Sequence, residues 1–155
     1  MNLRKLIILF LISILLTGCN KNNNDIEMTR LYAEVNDFCD NLKEIDTSIN
    51  QLTNITADEE GLKLATKNLL NHLDTLKDEF TKFSNIDFPA EYDYLEKVAD
   101  EAADYMNEAV NSYHKTYEDN YTASMEEYAH ENYKRAYKRV QLIIDVLNGK
   151  DPNTQ

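Results

Sequence analysis

The chain has 155 residues with 28 acidic against 16 basic side chains, a formal net charge of −12, and this balance repels nucleic acid and anionic lipid surfaces. Three glycines and two prolines leave few helix breakers, so with abundant Leu, Ala, Glu and Lys the composition points to long helices in one domain. The two cysteines, Cys19 and Cys39, are too few for a disulfide scaffold.

Met1 to Lys5 is a short positive start, and Leu6 to Leu16 is an eleven-residue apolar run broken only by Ser13. A bilayer-spanning helix needs about 20 residues, so this run suits a secretory signal. It ends in Leu16-Thr17-Gly18-Cys19, which resembles the lipobox of bacterial lipoproteins. The resemblance implies a signal peptide over residues 1–18, cleavage between Gly18 and Cys19, and acyl chains of the palmitate class on Cys19. It further implies an anchor on the extracytoplasmic face of the cell membrane, where two or more chains hold firmly at about 0.8 kcal/mol per buried methylene. Removing residues 1–18 takes away Arg4 and Lys5 and no acid, leaving 14 basic against 28 acidic side chains, a charge of −14. Residues 19–25 carry Asn20 to Asp25 beyond the lipidated cysteine, a polar tether of at most about 20 Å.

Residues 26–148 read as the folded domain. In the first helix, about Asp25 to Thr53, the apolar seam is Leu31, Val35, Phe38, Leu42, Ile45, Ile49 and Leu52, in alternating steps of four and three. Thr56-Ala57-Asp58-Glu59 fits a capping box opening the second helix. Its seam runs through Leu62, Ala65, Leu69, Leu73, Leu76, Phe80 and Phe83 to an end near Asn85. Pro89 suits the first position of a third helix, with seam residues Tyr92, Leu95, Ala99, Ala102, Met106, Ala109 and Tyr113. The register then breaks around residues 116–123, and Thr122 or Ser124 can cap a fourth helix with seam Met125, Ala129, Tyr133, Ala136, Val140, Ile143 and Leu147. Gly149 closes it, and residues 149–155 read as a flexible tail. The fold expected is all-α, an antiparallel up-down four-helix bundle; the alternative joins the last two helices in one rod from Pro89 to Asn148. Coiled-coil pairing between two chains would satisfy the same seams.

Motifs for chemistry are sparse. Glu127-Tyr128-Ala129-His130 matches one Glu-x-x-His element of di-iron bundles, but His72 and His114 follow Leu69 and Asn111 at that spacing, so no second element exists. The fourth seam turns Glu127 and His130 outward, and His114 also reads as a surface residue. Cys39 flanks a core position as a small apolar filler. There is no phosphate loop, nucleophile elbow or zincin motif. The expectation is a protein without catalytic residues, metal or cofactor.

Tyrosine is the compositional oddity, with nine of ten in the second half. Tyr92, Tyr113 and Tyr133 lie on the seams, facing small alanines. Tyr105, Tyr117, Tyr121, Tyr128 and Tyr137 fall off the strict seam and form the candidate partner-binding face, Tyr94 sharing that off-seam placement. The same positions also suit tyrosines that flank the core with their hydroxyls in water. Pro89-Ala90-Glu91-Tyr92, with the lipobox, resembles small helical lipoproteins of Gram-positive bacteria. That resemblance implies an envelope location and carries over no catalytic residue. Three roles fit: a non-catalytic domain binding an envelope protein or wall component, capture of a ligand or cation by the acidic domain, and phage exclusion or toxin immunity.

Overall fold

The structure is a computed structural model that describes residues 24–53, 58–119 and 121–150. Gly18 and Cys19, with the signal and lipidation sites they define, lie outside the described residues, as do Thr56, Ala57 and 151–155. Among the described residues four helices make up the fold: α1 Asn24–Thr53, α2 Glu59–Ser84, α3 Tyr94–His114 and α4 Ala123–Leu147, with a π-helical segment Lys115–Asp119 extending α3. Asn24 and Asp25, expected in the tether, already belong to α1. No helix among the described residues is long and apolar enough to cross a membrane.

Most seam positions are buried as their spacing dictates. Leu31, Val35, Phe38, Leu42, Ile45 and Ile49 of α1 meet Leu69, Leu73, Leu76, Phe80 and Phe83 of α2 in one core. Phe38 stacks on Phe83 at 4.2 Å and meets Phe80 edge-on at 5.3 Å. On α3, Ala99, Ala102 and Ala109 are fully buried, and Ala129 and Ala136 are their counterparts on α4. Small side chains on both faces let two helix backbones approach closely, and α3 against α4 is the most extensive helix pairing. Hydrogen bonds fix the direction of each neighbour. Tyr32, early in α1, donates to the Leu147 carbonyl at the end of α4; Asn41 of α1 donates to Glu79 late in α2; and His114 at the end of α3 meets Asp74 of α2. The helices run up, down, up and down.

Helix ends correct the sequence reading in two places and bear it out in two others. Asp58 caps α2, its carboxylate accepting from the Gly61 amide at 2.9 Å, with Glu59 and Glu60 in the first turn, where the capping box had placed Thr56 two residues earlier. Pro89 does not open α3: the Tyr92 amide donates back to the Pro89 carbonyl at 2.7 Å, and two further three-residue turns precede the regular ladder at Tyr94. Phe88, buried in the core, pulls the connector inward, so the chain must turn before it can run straight. Between α3 and α4, Thr122 is extended and accepts from the Met125 amide, which makes it the cap and excludes the single rod. At the other end of α4 the Gly149 amide donates to the Val146 carbonyl and the Lys150 amide to the Asp145 carbonyl, with Gly149 at φ 75°. This paired closure requires a left-handed residue, the reason for glycine there.

Candidate binding groove

The break in the third seam has a structural cause. Continuing from Tyr113 in regular α-helix would put the polar Thr116 and then Asn120 at seam positions. The π-helical widening at Lys115–Asp119 puts an extra residue into the turn. Thr116 stays buried and returns its hydroxyl to the Ser112 carbonyl at 2.7 Å. Tyr117 swings over Tyr113, the rings parallel with centroids 6.2 Å apart.

One carboxylate then ties this segment to α4. Glu126 accepts from the Tyr117 hydroxyl at 2.8 Å through Oε1 and from the Tyr121 hydroxyl at 2.6 Å through Oε2. It sits in the first turn of α4, where the helix dipole favours a negative charge. Burial and this hydrogen bond both push the Tyr117 hydroxyl well above the ordinary tyrosine range, and the bond to Glu126 raises Tyr121. A second tie runs to α2. His114 places Nδ1 2.9 Å from Glu118 and Nε2 3.2 Å from Asp74. The imidazolium form donates to both acids, whereas a neutral ring can donate to only one.

Between the π-helical segment and the first half of α2 lies an open groove of about 720 Å³. Leu62, Lys63, Lys67 and Leu70 line it from α2, and Tyr117, Glu118, Asp119 and Tyr121 from the opposite side, with His114 and Thr116 at its floor. Its volume is in the range of small-ligand sites, though it is open to solvent. Leu62, placed by its spacing on the core seam, is instead 40 % exposed at the groove's edge. A second cleft of about 380 Å³ lies between α1 and the end of α2, lined by Arg30, Glu34, Asp37, Phe83 and Asp87 among others.

The five candidate tyrosines separate into three places. Tyr117 and Tyr121 line the groove. Tyr105 is half-buried beneath the guanidinium groups of Arg135 and Arg139, 5.7 and 5.9 Å from its ring centre, and Tyr128 is exposed with its hydroxyl donating to Glu108. Both belong to the α3–α4 face, away from the groove. Tyr137 leaves the candidate face altogether: it is buried, 2 % exposed, and its hydroxyl donates to Asp46 of α1. The core of this bundle is wider than a strict seam, so the residue four after Tyr133 also faces inward.

Tyr133, Tyr137 and Asp46 form a buried polar triangle. Each hydroxyl lies 2.9 Å from Asp46 Oδ1, and the two hydroxyls are 3.1 Å apart. Burial pushes the Asp46 carboxyl above the usual carboxylate range, and the two hydroxyls pull it part way back. Nearby, burial pushes the Cys39 thiol up to about 12, which keeps it protonated and unreactive.

Among the described residues no three His, Cys, Asp or Glu side chains converge as a metal site. Glu127 is exposed as expected, but His130 is half-buried with Nδ1 lacking a partner, and burial lowers its pKa. The wide packing of α4 explains this inward turn, since His130 adjoins the seam residue Ala129.

No protein-family model matches the chain, and no curated protein or solved structure proves significantly similar to it.

Proposed function

We propose that this chain is an extracytoplasmic lipoprotein, anchored through acyl chains on Cys19, whose non-catalytic helical domain holds an envelope protein or wall component in the groove between α2 and the π-helical segment. The lipobox-like run Leu16 to Cys19 supports the anchor. One observation carries the binding role: the groove opens at the end of the bundle where α1 finishes, opposite Asn24. α1 has 30 residues, so at 1.5 Å per residue about 45 Å separates its two ends. A body tied to the membrane just before α1 would carry the groove outward, clear of lipid headgroups. The charge of the mature chain repels anionic lipid, which makes the acyl chains the holding force.

The test is site-specific photo-crosslinking on intact cells. A photoreactive residue at Asn71, exposed on the α2 wall of the groove, should yield a defined adduct that the same probe at Lys138, on another face, does not. Cys19→Ser should release the protein from the membrane fraction and abolish that adduct. Equal adducts from both probe positions, or a Cys19→Ser protein that stays with the membrane, would overturn the reading.

A further inference from the structure

We propose that the groove takes a short zwitterionic peptide, its carboxylate directed to Lys63 and Lys67 of α2 and its ammonium to Glu118 and Asp119 of the π-helical segment. The proposal rests on the groove being the binding site and adds the chemistry of its occupant. Lys63 and Lys67 are one helical turn apart and exposed, so their side chains share a face of α2. Neither has an ion-pair or hydrogen-bond partner among the described residues, and neither does Asp119. Elsewhere the surface cations of this acidic chain are mostly paired: Arg30 with Asp87, Lys43 with Asp40, Lys77 with Asp74, Lys134 with Glu131, Arg139 with Glu101. Here opposite charges stand on facing walls of one groove, and no ion pair joins Lys63 or Lys67 to Glu118 or Asp119, Glu118 being held on its own wall by His114.

The surface between the charged walls is apolar and aromatic. Leu62 and Tyr121 are 40 % and 50 % exposed, while Leu70 and Tyr117 lie deeper. An apolar side chain of the peptide would cover surface that now faces water, and the groove's 720 Å³ leaves room for a few residues. A polyanion meets Glu118 and Asp119, and a polycation meets the two lysines. Only a ligand carrying both charges, separated by an apolar body, satisfies both walls. His114 reinforces the arrangement because its link to Asp74 holds the π-helical wall at a fixed distance from α2.

The experiment is titration calorimetry on the full chain in neutral detergent with three probes: Ala-Leu-Ala with free termini, its N-acetyl form and its C-terminal amide. The free peptide should bind, and blocking either end should weaken binding about fivefold or more, the fold-change of a partly buried charge contact. Lys63→Gln with Lys67→Gln should remove the difference between free and amidated peptide while leaving the penalty for acetylation. Glu118→Gln with Asp119→Asn should do the reverse. All four positions are on the surface, and circular dichroism of the variants should match the parent.

Equal affinity for all three peptides, or no heat from any of them, overturns the proposal. Undiminished binding of the acetylated form would indicate an anionic ligand, and of the amide a cationic one; either result also overturns it. If the peptides fail while crosslinking from Asn71 still yields its adduct, the groove keeps its role and only the zwitterion is lost. If both fail, the groove itself is lost.

Discussion

Replacing Tyr137 with phenylalanine removes one hydroxyl from the buried triangle and leaves the ring packed on Phe80, 5.6 Å between centroids. The three oxygens make three short contacts. With Asp46 ionised only the two phenolic protons are present, so both go to Oδ1 and the contact between the hydroxyls carries none. With Asp46 protonated a third proton completes the ring. Loss of a donor to an ionised acceptor costs about 1.5–3 kcal/mol, and loss of a neutral bond about 0.5–1.5. Tyr137 takes part in one charge-assisted bond in the first case and in two neutral bonds of the ring in the second, so Tyr137→Phe should cost about 2 kcal/mol near pH 7 and near pH 3.5 alike. At roughly 4 °C per kcal/mol for a domain of this size, the melting temperature should drop by about 8 °C. The sign for Asp46 itself follows from linkage. Its carboxyl is raised in the folded state, so its contribution to stability is complete below the unfolded value of about 3.9 and is lost as pH rises through the folded value. Asp46→Asn should flatten that decline and hold the protein at least as stable as the parent near neutrality. Urea titrations followed by far-ultraviolet circular dichroism at both pH values measure each quantity. A loss for Tyr137→Phe under about 0.3 kcal/mol at both pH values would show that the triangle does not act as drawn.

Three further outcomes test other parts of the fold. Thr122→Ala removes the cap of α4 and should cost about 1 kcal/mol in urea titration, while Ser124→Ala should cost far less, because Ser124 is exposed inside the helix. Gly149→Ala meets no atom within 4 Å yet puts an L side chain at φ 75°, so a loss of about 1 kcal/mol should come from backbone conformation alone, and Gly149→Asn should recover part of it. In a Cys19→Ser background Cys39 is the sole thiol; with its pKa near 12 and its side chain buried, labelling by a disulfide reagent at pH 8 should track global unfolding, and rapid labelling of the native protein would contradict that burial.

The seams were legible because burial in a bundle follows a simple period: the residues read as seam positions from Leu31 to Ile49 and from Leu69 to Phe83 are all buried where steps of three and four put them. The same rule failed at Tyr137, because it draws a stripe one residue wide and α4 buries a broader face that includes Ile144 and Val146. It failed at Leu62 for the opposite reason: a seam position near a helix start is buried only if a neighbour covers it. Asp46 gave no signal, since a lone acid beside Ile45 looks like the solvated edge of the seam, and its two partners lie 87 and 91 residues away. The groove was half legible. The register break around residues 116–123 marked its location and Tyr117 and Tyr121 were singled out, but the Lys63 and Lys67 wall comes from α2, and only the folded topology brings it opposite.

The two ends of the bundle differ in what holds them. Toward the end of α2 the contact is apolar, with Phe38, Phe80 and Phe83 in one stack. At the groove end, much of the linkage is through polar bonds at partly or fully exposed groups: His114 to Asp74 and Glu118, and Tyr117 and Tyr121 to Glu126. Hydrogen bonds of that kind exchange with water or ligand at little net cost, whereas an aromatic stack cannot open without exposing apolar area. The π-helical turn adds to this difference, because its wider ring of backbone bonds is less favourable than the α-helical ladder before it. The role proposed for the groove needs a part of the molecule that can adjust and a part that stays fixed. Here the sequence separates them along the helix axis: phenylalanines fix one end, and tyrosines and a histidine, each with a polar atom to trade, line the other.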